Sequence, residues 1–517
     1  MENILGNLLA FSVFAPFLTG MLLLLIPAEN IKLIRSLALT VMGLMFVALS
    51  YLLYKFDFNE GGFQFIWSLN WIPSLGISLK LGLDGISLPL FLLTGIVGLT
   101  AMYISSEIHK RQKEYYILLL SLITGIAGTF CALDVFFFYF FYEMAVIPMY
   151  LLIGIWGSLP SGKHGRTKEY ATMKLTLYLT AGAVLALLGL LIVYFSGAHS
   201  FDYITTFNHL KENPLPAQVQ ILVFGLLLFG FGFLASLWPF HTWSPIGYAA
   251  APTAASMMHA GVLKKLGVYG LLRLGIAFAP EGAKAWAEII VILATLNIIY
   301  AGLAALRQKD WKFVIGYSSV SHMGYIILGL ATLNITGISG AVLLMFAHGV
   351  MAALTFALIG FFYHQTHNRT VTDLSGLAHK LPFIGVCMTM ALMASSGLPG
   401  FANFASEIMV FIGAWQVDSI VFKVATLCAV WGIVITAAYL LWALRQSFFG
   451  PYVPKWENLH DPKGIQKWPY IALILILLTI GIYPRFFTDS IQKSVALLVP
   501  QQNQAHTSNI EYSKVLP

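Results

Sequence analysis

The sequence predicts an all-α, polytopic membrane protein of about fourteen spanning helices. Three observations carry that expectation. Only 10% of the 517 residues are charged and 58% are hydrophobic, whereas a soluble chain carries about 25% charged residues. The apolar residues fall in runs of about 20, the length that crosses the hydrocarbon core. Lys and Arg gather in alternate loops, as the positive-inside rule requires.

The runs place helices near residues 9–27, 34–53, 84–105, 115–132, 134–156, 174–195 and 217–238. The second half adds 253–279, 286–306, 311–333, 338–362, 382–411, 420–444 and 469–488. The first run, Leu9 to Pro27, has no basic residue before it and is long enough to span, so it reads as a retained helix and not as a cleaved signal peptide. Only Ala132-Leu133-Asp134 separates the fourth run from the fifth.

Loops after odd-numbered helices hold Lys32 and Arg35; Lys110, Arg111 and Lys113; Lys163, Arg166 and Lys168; Arg307, Lys309 and Lys312; Arg369 and Lys380; and Arg445, Lys455, Lys463 and Lys467. The even loops and the tail hold only Lys55, Lys80, Lys211, Lys284, Arg485, Lys493 and Lys514. The odd loops are therefore expected on the cytoplasmic side and both termini opposite. This alternation explains the net charge of +7 without a nucleic-acid partner. The polar stretches near 54–83 and 445–468 are too short to fold alone. A single transmembrane domain over 1–517 is expected, with a polar tail from Pro500.

Cys131, Cys387 and Cys428 lie inside apolar runs without paired spacing, as packing residues do. No phosphate loop, dinucleotide fingerprint or metal-spaced His/Cys set is present. No pair of histidines has the context of haem ligands. The expectation is no cofactor and no metal.

Function is sought in charges within apolar runs, because each is costly there without a partner or water. Glu143 sits mid-run in Phe140-Phe141-Tyr142-Glu143-Met144, where the bland alternative is a hydrogen-bonded packing Glu. Lys264 and Lys265 are adjacent in a run and point about 100° apart, so they cannot face one partner. Glu407 follows Ser396-Gly397-Leu398-Pro399-Gly400, a helix breaker beside a carboxylate, which is how transporters build ion sites. A similar breaker stands at Trp238-Pro239-Phe240-His241. His241, His259, His322 and His348 lie in or beside apolar runs; any one could be a satisfied core residue, but together with Tyr317-Ser318-Ser319-Val320-Ser321 they describe a hydrated polar chain. Asp84 reads as a helix N-cap.

At these residues the chain resembles the antiporter-like membrane subunits of respiratory complex I and of Mrp-type cation/proton antiporters. The likeness runs over about residues 80–450. It is carried by Leu83–Pro89, Phe140–Tyr150, Pro239–Trp243, Ala251–Arg273, Asp310–Gly324 and Leu398–Glu407, with Phe448-Phe449-Gly450-Pro451. It fits best the subunit M, or chain 4, branch.

The resemblance implies two inverted five-helix repeats, at about 115–279 and 286–444, after helices 1–3 at 9–105 and before a last helix at about 469–488. Helices 7 and 12 would be broken. It implies that Glu143, Lys265, His322, His348 and Glu407 carry protons, with Lys174 on a position often Lys. It implies partners too: other membrane-arm subunits, related antiporter-like subunits among them, and lipids. The setting would be a bacterial inner membrane or an equivalent energy-transducing membrane. Activity would be that of a proton-translocating NAD(P)H- or ferredoxin-quinone oxidoreductase, with no redox centre in this chain. The large subunit of a Na⁺/H⁺ antiporter and a non-pumping structural subunit are the alternatives.

One departure matters. The family's helix-7 Lys, the usual partner of the fifth-helix Glu, is Leu234 here. Lys264 is an extra charge, and the expectation is that it replaces the lost Lys and approaches Glu143 while Lys265 faces His322.

Overall fold

The computed structural model of the chain describes residues 2–158 and 167–499. Lys163, Arg166, Lys514 and the tail from Pro500 lie outside the described residues. Two long helices, α1 (Glu2–Leu25) and α2 (Ile31–Lys55), precede a hairpin of β1 (Gln64–Ile72) and β2 (Ile77–Leu83). There follow α3 (Ser87–Ile104), α4 (Gln112–Cys131), α5 (Val135–Trp156), α6 (Lys168–Ser196), the short α7 (Tyr203–Glu212), α8 (Ala217–Ala235) and α9 (Trp243–Ala250). Next come α10 (Thr253–Met258), α11 (Lys265–Gly270), α12 (Pro280–Leu306), α13 (Trp311–Ala331) and α14 (Ile335–Thr366). The chain continues through α15 (Pro382–Ser395), α16 (Ala402–Trp415), α17 (Ile420–Phe448), α18 (Trp468–Ile482) and α19 (Arg485–Leu498).

Twelve of the described helices are long and apolar enough to cross a membrane. The eighth predicted span is divided by π-helical turns at His259–Leu263 and Leu271–Ile276. The twelfth is divided into α15 and α16. With these two, every predicted run has its counterpart. The last run stops earlier than expected: α18 ends at Ile482, and Arg485–Leu498 is a separate amphipathic helix. It buries Phe487, Ile491, Val495 and Leu498, while Lys493 reaches out to Phe58 O and Asn59 Oδ1. The hairpin was not foreseen. It lies against α1, and Lys80 on β2 bonds Asp202 at 2.6 Å.

Short polar residues set the boundaries. Asp134 is extended and accepts from the Phe136 and Phe137 amides, starting α5 immediately after α4. Asp310 does the same for α13 through Lys312 N, and Asn334 for α14 through Gly337 N. Burial pushes the Asp134 carboxyl up to about 6 despite those amides. Burial also raises Asp202, but Lys80 and Thr205 outweigh it and hold Asp202 below its usual range. The Lys80–Asp202 contribution is thus present above the ordinary carboxylate pKa and fades as pH falls through the lowered one.

The packing repeats itself. α4 packs on α5 as α12 packs on α13; α6 packs mainly on α8, before the break in helix 7, whereas α14 packs mainly on α16, after the break in helix 12. A backbone bridge joins Asp134 to Asp202 in the first set, and another joins Asp310 to Thr370 in the second. Each set holds five spans, so the second starts from the opposite side of the membrane. The outer helices leave Leu177, Leu188, Trp431 and Val434 exposed, as a lipid-facing surface requires, while α14 is buried almost throughout.

Both breaks have a local cause. α8 ends at Ser236 in the left-handed conformation, ahead of Pro239. Asn297 of α12 fills the gap: its Oδ1 accepts from Trp238 N, and its Nδ2 donates to Ser236 O and Val320 O. Between α15 and α16, Gly397 and Gly400 take φ of 70° and 97°, which favours glycine.

Beside helix 8, Asp84 does cap α3, accepting from the Ile86 and Ser87 amides, and it also forms a buried ion pair with Arg273. Arg273 Nε donates to Tyr269 Oη at 3.3 Å. We expect Asp84→Ala to cost about 3–5 kcal/mol, because a guanidinium is left buried without its anion. Replacing both partners by apolar residues of similar size should recover most of that loss. Thermal unfolding of the purified protein checks both; equal losses for the single and double variants would contradict it.

Candidate proton-transfer axis

The π turn at His259–Leu263 delivers Lys264 and Lys265 to the centre of the bundle, both fully buried. They diverge, as adjacent helical positions must. Lys265 Nζ bonds Ala260 O and His348 Nδ1, the latter at 2.9 Å. Where Lys265 is an ammonium, Nδ1 of His348 accepts and the ring proton lies on Nε2, which has no protein partner.

The ring of His348 on α14 lies 5.2 Å, centroid to centroid, from that of His322 on α13. His322 Nδ1 lies 2.8 Å from Ser318 O and its Nε2 lies 2.9 Å from Ser395 O. A neutral imidazole can donate to only one carbonyl, so this pair of acceptors is filled only by a doubly protonated ring. Glu407 approaches the same ring, with Oε1 3.8 Å from His322 Nε2. The carboxylate sits where a side chain at 397 would be: a Cβ on Gly397 would lie 2.8 Å from Glu407 Oε2. Gly397 is therefore required twice, for its positive φ and for this close approach.

The axis thus reads Lys265, His348, His322, Glu407, from helix 8 of the first set to broken helix 12 of the second. Polar groups line it. Tyr439 Oη donates to Ser318 Oγ at 2.8 Å. Ser395 Oγ and both amide atoms of Asn403, one turn before Glu407, are buried without a protein partner. Buried polar groups need partners, so these positions favour water over hydrocarbon.

Lys264 takes another direction. Its Nζ donates to Ser244 Oγ of α9 at 3.3 Å and lies 5.5 Å from the Tyr248 ring. His259 stacks on Trp243 and meets Tyr248 edge-on, and His241 stands edge-on to Tyr300. The expected approach of Lys264 to Glu143 does not occur: among the described residues no ion pair reaches Glu143, whose Oε1 is buried and unpartnered. The direction of the side chain decides this, since Lys264 faces the break in helix 7. Leu234 is fully buried against Gly267, leaving no cation between helices 5 and 8. Lys174 is half-buried beside Tyr170 and Tyr178, and Tyr178 Oη bonds Thr242 Oγ1 at 3.2 Å.

Besides Arg273, reading the sequence missed two buried cations. Arg369 donates to Ala249 O at 2.7 Å and pairs with Asp310 at 3.1 Å. Lys312 donates to Ala251 O at 2.6 Å. Together they hold the carboxyl end of α9, where cations oppose the helix dipole. Both had been counted as loop charges; the signal available was Asp310, a cap that places Lys312 inside the first turn of α13.

The family model described as NADH:quinone oxidoreductase/Mrp antiporter, TM, matches residues 132–436. NAD(P)H-quinone oxidoreductase chain 4 1 of Synechococcus elongatus is 36% identical over 94% of this chain and 92% of its own length. A chain of respiratory complex I from Thermus thermophilus with bound NADH superposes with a TM-score of 0.84 at 26% identity, covering 95% of this chain and 100% of that one. A chain of the Mrp complex from Dietzia sp. DQ12-45-1b shares the fold, with a TM-score of 0.82 at 20% identity over 96% of this chain and 98% of its own. A family match across the whole central bundle, and a relative this similar end to end, mean that the chain belongs to the NADH:quinone oxidoreductase/Mrp antiporter transmembrane family.

Proposed function

We propose that this chain is a proton-translocating, antiporter-like membrane-arm subunit of a complex I-type NAD(P)H- or ferredoxin-quinone oxidoreductase. The observation that carries the reading is the buried line Lys265–His348–His322–Glu407, which joins one five-helix set to the other. Chain 4 1 of the Synechococcus elongatus NAD(P)H-quinone oxidoreductase and a chain of the Thermus thermophilus respiratory complex I match it over nearly its full length, and both support that assembly. The partners are then other membrane-arm subunits, and electrons pass through cofactors held elsewhere.

In this reading Lys265 holds a proton against His348. The gap between the two imidazoles exceeds a hydrogen bond, so a water or a ring movement carries the proton across. His322 holds it between two carbonyls, and Glu407 receives it beside the helix break. Freed backbone groups at both breaks make those regions the ones that can wet and close. Lys264, anchored to Ser244, places a second cation at the helix-7 break, where a movement of α9 alters its distance from Lys265. The repeats at about 115–279 and 286–444 are the two units that this movement works on.

A second reading has its own support. Glu143 lacks a cation and Leu234 stands where the family has one, as in a subunit that scaffolds without pumping. Glu407→Gln separates the two. It keeps the shape but cannot give up a proton, so pumped protons per electron pair should fall while quinone reduction by the assembled complex continues. Unchanged pumping in reconstituted vesicles would favour the scaffold.

Orientation follows from the basic loops, with both termini on the non-cytoplasmic side. An impermeant thiol reagent applied from that side should label a cysteine placed at Gln502 and spare one placed at Gln112. The opposite pattern would reverse the topology.

A further inference from the structure

Where α2, the end of α3, the end of α14 and the start of α18 meet, a cavity of about 340 Å³ opens, away from the proton axis. Its wall holds Arg35, Glu107, His109 and His364, with the rings of Tyr103 and Tyr470. Arg35 and Glu107 share this cavity, yet no ion pair joins them, and neither makes a hydrogen bond with another described residue. A half-buried carboxylate and a half-buried guanidinium, unpaired on the wall of one cavity, are the complement of a molecule carrying both charges.

The level of the cavity says what that molecule is. Tyr103 meets Trp468 edge-on at 5.3 Å, an aromatic pair at helix ends of the kind that marks the headgroup region. The bordering helices α2 and α18 turn Leu33, Ile471 and Leu475 outward, an apolar flank continuous with lipid. We propose that this cavity binds the headgroup of a phosphatidylethanolamine-type lipid, its phosphodiester on Arg35 with His109 and His364, its primary ammonium on Glu107. The guanidinium matches a phosphate oxygen pair in its planar fork. Glu107 opposes a purely anionic headgroup. A choline headgroup has no N–H to donate to a carboxylate, so it forgoes that hydrogen bond.

The test uses the intact, membrane-reconstituted complex and photoactivatable lipid probes carried in phosphatidylcholine vesicles. The phosphatidylethanolamine probe should label the segments 101–109, 361–367 and 464–475 about tenfold more than phosphatidylcholine or phosphatidylglycerol probes, a difference of about 1.4 kcal/mol in affinity. Equal labelling by the choline probe, or stronger labelling by the glycerol probe, overturns the proposal. Glu107→Gln should erase the preference for ethanolamine over choline while quinone reduction persists, and Arg35→Ala should weaken labelling by both. A retained preference in Glu107→Gln removes the ammonium contact. Soluble phosphoethanolamine should fail to compete at millimolar concentration; effective competition would make the occupant a soluble zwitterion and overturn the lipid assignment. The wild-type comparison decides the matter even where a variant fails to assemble.

Discussion

In hydrocarbon, every backbone amide and carbonyl must find its partner within the protein. That requirement governs this chain most tightly at two places, between α8 and α9 and between α15 and α16. The first gap is closed by one buried side chain, Asn297, which satisfies three backbone groups on two helices. The second uses the left-handed glycines and the close contact of Gly397 with Glu407. A polar side chain answers the freed backbone at the first break, and at the second His322 Nε2 lies 2.9 Å from Ser395 O, so polar atoms accumulate in the centre of an otherwise apolar bundle. The buried lysine, histidines and carboxylate occupy the same layer. A broken helix and a buried polar axis are, in this fold, two consequences of one constraint.

Much of this was legible in the sequence, and the reasons are physical. A run of about 20 apolar residues admits few structures in lipid, so all fourteen spans could be placed, and Asp134 marked the narrow boundary between α4 and α5. Pro239, Pro399 and Gly400 announced the breaks. What stayed hidden depended on direction. Adjacent Lys264 and Lys265 were bound to diverge, but which faced which neighbour turned on a π-helical turn that leaves no signal in hydropathy. The last run was carried past Ile482 to residue 488, and the amphipathic α19 beyond it went unseen, because its buried residues Phe487, Ile491 and Val495 are spaced among polar ones and form no continuous apolar run. Lys312 and Arg369 were counted as loop charges because a basic residue at a helix end and one folded back onto a neighbouring helix's carbonyls read alike.

The distribution of charge between the two halves is uneven. The second half has a titratable line whose members lie within one or two contacts of each other. In the first half, Glu143 on α5 has no cation beside it among the described residues, and Leu234 packs against Gly267 of helix 8. The buried lysines of that half face away from Glu143, Lys265 toward His348 and Lys264 toward the helix-7 break.

The five-span set has a consequence that is arithmetical. An odd number of crossings returns the chain on the far side, so the second copy of any local feature is presented to the other compartment without a single residue being chosen for that purpose. Asp134 and Asp310 do the same capping work, and the bridges to Asp202 and Thr370 the same tethering, one at each surface. Handedness across the bilayer is thus settled by parity. Adding or deleting one span between the copies would leave every contact within each of them intact and still turn two opposed ports to the same side, a machine with all its parts and no direction.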